Sequence, residues 1–209
     1  MKISKSKNNY LKLYILFFII ILFIFSYQMH KGYKLYFTSI YEKNILSKDV
    51  FERINSSCKK YNERNMVLDP KASGRLMHVF PIQDEMYSLI YNSNFVQKVR
   101  NLSGNQRLIP CLDIPIEYRI YQLGSYMNWH RDVQMLPNQL QYECVVTLEN
   151  TSDCKTMFKD WFGLLSREIS TEPNSLVIVR AKGVEHCVTE TRQGKRSILK
   201  LVFCEEGAL

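Results

Sequence analysis

The sequence predicts an α+β domain that is mainly β, an antiparallel sandwich of the jelly-roll (double-stranded β-helix) type buttressed by N-terminal helices and preceded by one transmembrane helix. Three observations point there. Helical periodicity comes first along the chain and short β-rich runs follow it, the order expected when helices pack on one side of a sheet. An uncharged apolar stretch stands apart near the N-terminus. With 46% hydrophobic residues in 209, the remainder is large enough to bury a core.

In order, residues 1–12 read as a cytoplasmic tail bearing Lys2, Lys5, Lys7 and Lys12. Residues 13–29 (LYILFFIIILFIFSYQM) carry no charge and read as a membrane anchor. That is short for a bilayer core, which takes roughly 20 apolar residues, and Leu11 with the stem of Lys12 supplies the missing turn. Ser26-Tyr27-Gln28-Met29-His30 lacks the small residues of a cleavage site, so the segment is expected to stay as an anchor. The basic tail orients it with the N-terminus in the cytoplasm and the folded part in the endoplasmic reticulum or secretory lumen. Residues 30–45 read as a polar stalk and 46–209 as the folded domain. Helices are expected over Ser47–Tyr61, with Ser47 as N-cap, over Asp84–Tyr91, and over Asn94–Leu102 with Gly104 ending the last. Strands are expected at Tyr118–Leu123, Tyr142–Leu148, Ser175–Arg180 and Ile198–Phe203, each bounded by turn residues.

The formal charge of +8 is unevenly placed. Residues 1–60 carry eleven Lys and Arg against Glu42, Asp49 and Glu52, whereas residues 61–209 balance seventeen of each sign. A domain that neutralises a run of phosphates needs a basic excess within its folded part, so no nucleic-acid partner is expected. The six cysteines allow fifteen disulfide pairings and form no CxxC, which argues against zinc. Asn55, Asn101 and Asn150 begin glycosylation-type tripeptides.

The residues that carry chemistry are Trp129-His130-Arg131-Asp132, then His186 fifty-six positions after His130, then Gly194-Lys195-Arg196. Side chains at i and i+2 of an extended strand share a face, so His130 and Asp132 can serve one ion, with His186 entering from another strand. Two imidazoles and a carboxylate leave open coordination positions, as in non-haem Fe(II) oxygenases. Arg196 opens a mostly apolar run, Arg196-Ser-Ile-Leu-Lys-Leu-Val-Phe, and if it faces inward its guanidinium needs an anionic partner such as a ligand carboxylate, or else it must snorkel. Tyr126 and Trp129 flank the motif and read as core aromatics, and Arg131 as a solvated side chain.

These residues resemble the 2-oxoglutarate- and Fe(II)-dependent dioxygenases, in particular the prolyl 4-hydroxylase-like branch, through Tyr121-Gln-Leu-Gly-Ser-Tyr-Met-Asn-Trp-His-Arg-Asp and through His186 with Gly194-Lys195-Arg196, over roughly Leu46 to Cys204. The resemblance implies that His130, Asp132 and His186 hold iron, that Arg196 binds the distal carboxylate of 2-oxoglutarate, and that Tyr121 shares that carboxylate. The branch often has Lys at the Arg196 position, and a one-residue register slip would give the role to Lys195. It also implies O2 as oxidant, ascorbate as an optional accessory, and hydroxylation of a C–H bond with release of succinate and CO2. The expected substrate is a protein side chain such as proline; a lipid or small molecule remains open, as does a catalytically silent jelly-roll binding module.

Overall fold

The computed structural model describes residues 10, 12–24, 35, 38–61, 63–137, 139–159, 163 and 166–205. The chain divides into two units, Met1–Lys34 and Leu35–Leu209. In the first, residues 12–24 are helical and exposed. Thirteen residues span about 20 Å against the roughly 30 Å of a bilayer core, and among the described residues no helix is long and apolar enough to cross a membrane. The end of the expected anchor, 25–29, lies outside the described residues.

In the second unit the elements run β1 (Ile40–Lys43), α1 (Lys48–Lys59), β2 (Val67–Leu68), β3 (Leu76–Val79), α2 (Glu85–Ile90), α3 (Ser93–Ser103), β4 (Leu108–Pro110), β5 (Glu117–Tyr121), β6 (Met127–His130), β7 (Gln141–Asn150), β8 (Thr156–Lys159), β9 (Ser166–Ile169), β10 (Ser175–Arg180), β11 (His186–Val188) and β12 (Arg196–Glu205). A large antiparallel sheet has the order β1-β10-β7-β12-β5-β3-β2, with β4 also on β12, and a small one the order β6-β11-β8-β9. This is the expected jelly-roll pattern of two antiparallel sheets.

The helices lie where the periodicity puts them. Asp84 caps α2 by accepting from the Met86 N–H, Asn92 caps α3 by accepting from the Phe95 N–H, and Gly104 ends α3 in the left-handed region at φ 72°. Ser47 occupies the N-cap of α1 without making a side-chain cap bond. The stalk expectation is corrected at its end: residues 40–43 form β1, paired to β10, and Leu35 is buried in the core.

The central strands are buried on both faces, with different residues on each. Tyr118, Ile120, Cys144, Val146, Leu148, Leu176, Ile178, Leu199, Leu201 and Phe203 join Ile54, Met86, Ile90, Phe95 and Val99 of the helices in the main core. The alternate residues, among them Arg119, Tyr121, Glu143, Val145, Val177, Val179, Arg196 and Ile198, face a cavity between the sheets. Period-2 alternation thus separates a packing face from a working face on the same strands. Gly194 sets the entry to β12: its φ is +68°, and a Cβ there would collide with the Thr151 carbonyl.

Of the fifteen possible cysteine pairings the fold forms Cys111–Cys204, with Cα atoms 5.2 Å apart, from the residue after β4 to β12; Cys58, Cys144, Cys154 and Cys187 stay free and buried. The bond closes a loop of 93 residues, long enough for its loss to cost about 4 kcal/mol in the chain-entropy picture. Replacing both cysteines by serine should lower unfolding free energy by that order in urea titrations, and a reductant should affect the wild type alone.

Candidate metal centre

The two histidines meet through strand pairing. His130, the last residue of β6, is the cross-strand partner of His186, the first of β11, and their ring centroids lie 4.3 Å apart. Asp132 does not share a strand with His130, as the spacing had suggested, because β6 ends at His130. Its carboxylate is brought in by the following loop, whose Asp132 carbonyl accepts from the Lys182 N–H at 2.8 Å beside the β10–β11 turn.

Backbone carbonyls aim both rings. His130 Nδ1 lies 2.8 Å from the Asn128 carbonyl and His186 Nδ1 3.2 Å from that of Val184. A carbonyl can only accept, so each Nδ1 carries the proton and each Nε2 offers its lone pair. Those nitrogens face Asp132, at 3.6 Å from Oδ1 for His130 and 3.8 Å from Oδ2 for His186. The three donors lie within 4.8 Å of one another. His130 Nε2 and Asp132 Oδ2 are buried with no hydrogen-bond partner. Burial opposes the charge on Asp132, so its carboxylate needs a positive partner within the site. Buried orphan donors converging with lone pairs forward fit a divalent ion bound by two nitrogens and one oxygen.

Arg196 faces the same cavity. It is paired with Tyr121 across β12 and β5, is buried, and donates from Nη1 to Thr156 Oγ1 at 2.9 Å while its Nε finds no hydrogen-bond partner. Tyr121 accepts from Arg75 Nη1, and its own proton has only the weak acceptor Met127 Sδ at 3.8 Å. Lys195 lies just before β12, half-exposed and 3.4 Å from Glu149, and does not line the cavity. Tyr126 and Trp129 are exposed, not core as expected; Trp129 lies under Lys159 Nζ at 4.7 Å.

Sequence reasoning missed a buried layer of charge beside His130, Asp132 and His186. Asp69 Oδ2 takes Nε and Nη2 of Arg75 at 2.9 and 2.5 Å and lies 3.4 Å from Arg119 Nε. Arg119 also pairs with Glu117, and Lys200 sits 3.6 Å from both Glu117 and Glu143. The signal was present: Arg119 and Lys200, like Arg196, are cations inside apolar strand runs. Two cavities flank the ligands. The inner one, about 40 Å³, contains Arg196, Tyr121, Thr156 and apolar walls from Val145, Val177, Val179 and Ile198. The outer one, about 360 Å³, includes Met127, Asp132, Met135, Glu143 and Lys200, and His130 borders both.

Solved structures with this fold were found by comparison. The prolyl-4-hydroxylase of Pseudomonas putida is similar at TM-score 0.64 with 15% identity, over 82% of this chain and 94% of that one. The fold is that of the 2-oxoglutarate–Fe(II) oxygenases. An oxidoreductase of the 2OG-Fe(II) oxygenase family from Burkholderia pseudomallei gives 0.66 with 11% identity over 87% and 89% of the two chains, and the viral collagen prolyl hydroxylase of Paramecium bursaria Chlorella virus-1, in complex with 2OG, gives 0.56 with 14% identity over 79% and 95%. No protein-family model matches the sequence, and no curated protein is similar to it.

Asp69 offers a test of the charged layer. Burial raises its carboxyl, but Arg75 foremost, then the Lys71 N–H and Arg119, bring it below the usual range. A depressed folded pKa stabilises above the unfolded value and is lost as pH falls through the folded one. Asp69→Asn should therefore destabilise by about 3–5 kcal/mol at neutral pH by leaving the buried Arg75 guanidinium without a carboxylate partner. The gap to wild type should narrow below about pH 4; denaturant titrations at pH 7 and pH 3 measure both.

Proposed function

We propose that this chain is a 2-oxoglutarate- and Fe(II)-dependent dioxygenase that hydroxylates a C–H bond, converting substrate, 2-oxoglutarate and O2 into hydroxylated substrate, succinate and CO2. The observation that carries the reading is the convergence of His130, Asp132 and His186 within 4.8 Å at the mouth of a cavity that also holds the buried, incompletely satisfied Arg196. The shared fold supports it. A silent binding module gives no reason to keep orphan donors converging beside an unfilled guanidinium.

Ferrous iron, when bound with 2-oxoglutarate and O2, supplies the oxidising power for oxygen insertion into an unactivated C–H bond. The chain supplies the rest. His130, Asp132 and His186 would hold the ion through two nitrogens and one oxygen, a donor set too small to saturate it and so compatible with co-substrate and O2. Arg196, beside Thr156, would hold the far carboxylate of 2-oxoglutarate, and the Tyr121 hydroxyl could turn from Met127 to donate to it. The apolar walls of the inner cavity exclude water, which strengthens that ion pair.

The substrate class we favour is a protein side chain such as proline, with a small molecule or lipid as the alternative. Two of the similar structures are prolyl hydroxylases, and a third, from Trichoplax adhaerens, is a prolyl hydroxylase in complex with a peptide fragment. We also propose that residues 13–29 anchor the domain to a membrane facing the secretory lumen. The uncharged run and the Cys111–Cys204 disulfide, a bond typical of oxidising compartments, support this.

Fe(II)-loaded protein should convert 2-oxoglutarate to succinate slowly without substrate, and His130→Ala should abolish it. Arg196→Ala should lower kcat/KM for 2-oxoglutarate by about thirtyfold or more, since a buried charge partner is lost. Lys195→Ala should change it by less than about twofold, as expected of an exposed ion pair. Equal succinate formation by wild type and His130→Ala would defeat the dioxygenase reading. For the anchor, carbonate extraction of membranes and glycan mapping at exposed Asn101 are the measurements; recovery in the soluble fraction would refute it.

A further inference from the structure

The outer cavity has a charge of its own. Its polar lining consists of Lys71, Arg119, Arg131 and Lys200 against Asp132 and Glu143, with His130. Asp132 belongs to the metal centre, and Glu143 faces Lys200 at 3.6 Å. Arg119 is held by Glu117 and Asp69, but its buried Nε has no hydrogen-bond partner. Lys71 and Arg131 remain at the mouth, both exposed. Arg131 acts on Glu185, which lies outside the lining, and no acid within the lining is left to answer either cation. Their positions are anchored: Asp69 Oδ1 accepts from the Lys71 N–H at 2.8 Å in the β2–β3 turn, and Arg131 follows His130 directly.

A cation-rich wall beside the metal favours a substrate with negative charge close to the carbon it presents, because each guanidinium or ammonium interacts more strongly with an anionic acceptor than with a neutral one. An aliphatic lipid chain entering the same space would strip water from these groups and return nothing. Resting on the dioxygenase reading above, we infer that the substrate is an acidic peptide, with a carboxylate or phosphate on the residue next to the one hydroxylated, met at the cavity mouth by Lys71 and Arg131.

The experiment uses the full chain in detergent with Fe(II) and 2-oxoglutarate. Succinate formation is measured alone and with peptide pools of otherwise random sequence carrying Glu-Pro, phosphoserine-Pro, Ala-Pro or Lys-Pro. The acidic pools should stimulate turnover about tenfold more than the Lys-Pro pool, because the two cations attract the former and repel the latter, and the preference should shrink in high salt. The ratio of the Glu to the phosphoserine arm tells carboxylate from phosphate. In Lys71→Glu/Arg131→Glu the order of the Glu-Pro and Lys-Pro pools should reverse, and both positions are exposed, so the substitutions leave the core untouched. Equal stimulation by all pools, none by the acidic ones, or a preference that survives the charge reversal overturns the inference. The dioxygenase reading stands in those cases so long as wild type forms succinate without peptide and His130→Ala does not; absence of that basal turnover sinks both.

Discussion

A buried carboxylate held between two imidazoles is the constraint on which the working part of this molecule depends. Asp132 has no hydrogen-bond donor for Oδ2, and the two rings that face it are committed through Nδ1 to backbone carbonyls. Such a group is costly to bury unless something positive completes it. The small sheet exists in the geometry that makes this possible: β6 and β11 pair at His130 and His186, so the spacing of the rings follows from the spacing of strands, and the loop tied to Lys182 carries in the third donor. Moving any one of these by a residue would turn a ligand out of the site, since strand side chains alternate in direction.

The large sheet does the complementary work. Its outer face is an apolar seal against the helices, while its inner face carries Arg119, Glu143, Arg196 and Lys200 on neighbouring strands. Most of those charges are answered within the layer, Lys200 by two glutamates and Arg119 by Glu117 and Asp69. Burial and the nearby charge of Asp132 push the Glu143 carboxyl up, against the pull of Lys200 and Arg119. Arg196 is the exception, with a hydroxyl for company and no carboxylate. The layer also joins the two cavities mechanically: Asp69 holds the turn bearing Lys71 to Arg75, and Arg75 reaches Tyr121 beside Arg196.

Much of this was legible from residue order. The three helices and the four long strands follow from periodicity and caps, and the spacing of His130, Asp132 and His186 marked a trio that the fold does bring together. Strands β6, β8, β9 and β11 were not, because runs of three or four residues that include His, Lys, Arg and Glu carry too little alternation to stand out. Tyr126 and Trp129 were read as core on burial tendency, but both are exposed, Tyr126 just before the short strand β6 and Trp129 within it.

By itself the sequence determined which groups could bind an ion and a carboxylate, because those capacities belong to side-chain chemistry and to charge placed in apolar runs. Tertiary structure alone decided which of the adjacent cations turns inward, which of fifteen cysteine pairings forms, and how Asp69, Arg75, Glu117 and Glu143 assemble into one layer. Those outcomes depend on strand register and on contacts between residues far apart in the chain. No local pattern encodes them, since a shift of one residue in pairing exchanges the two faces of a strand.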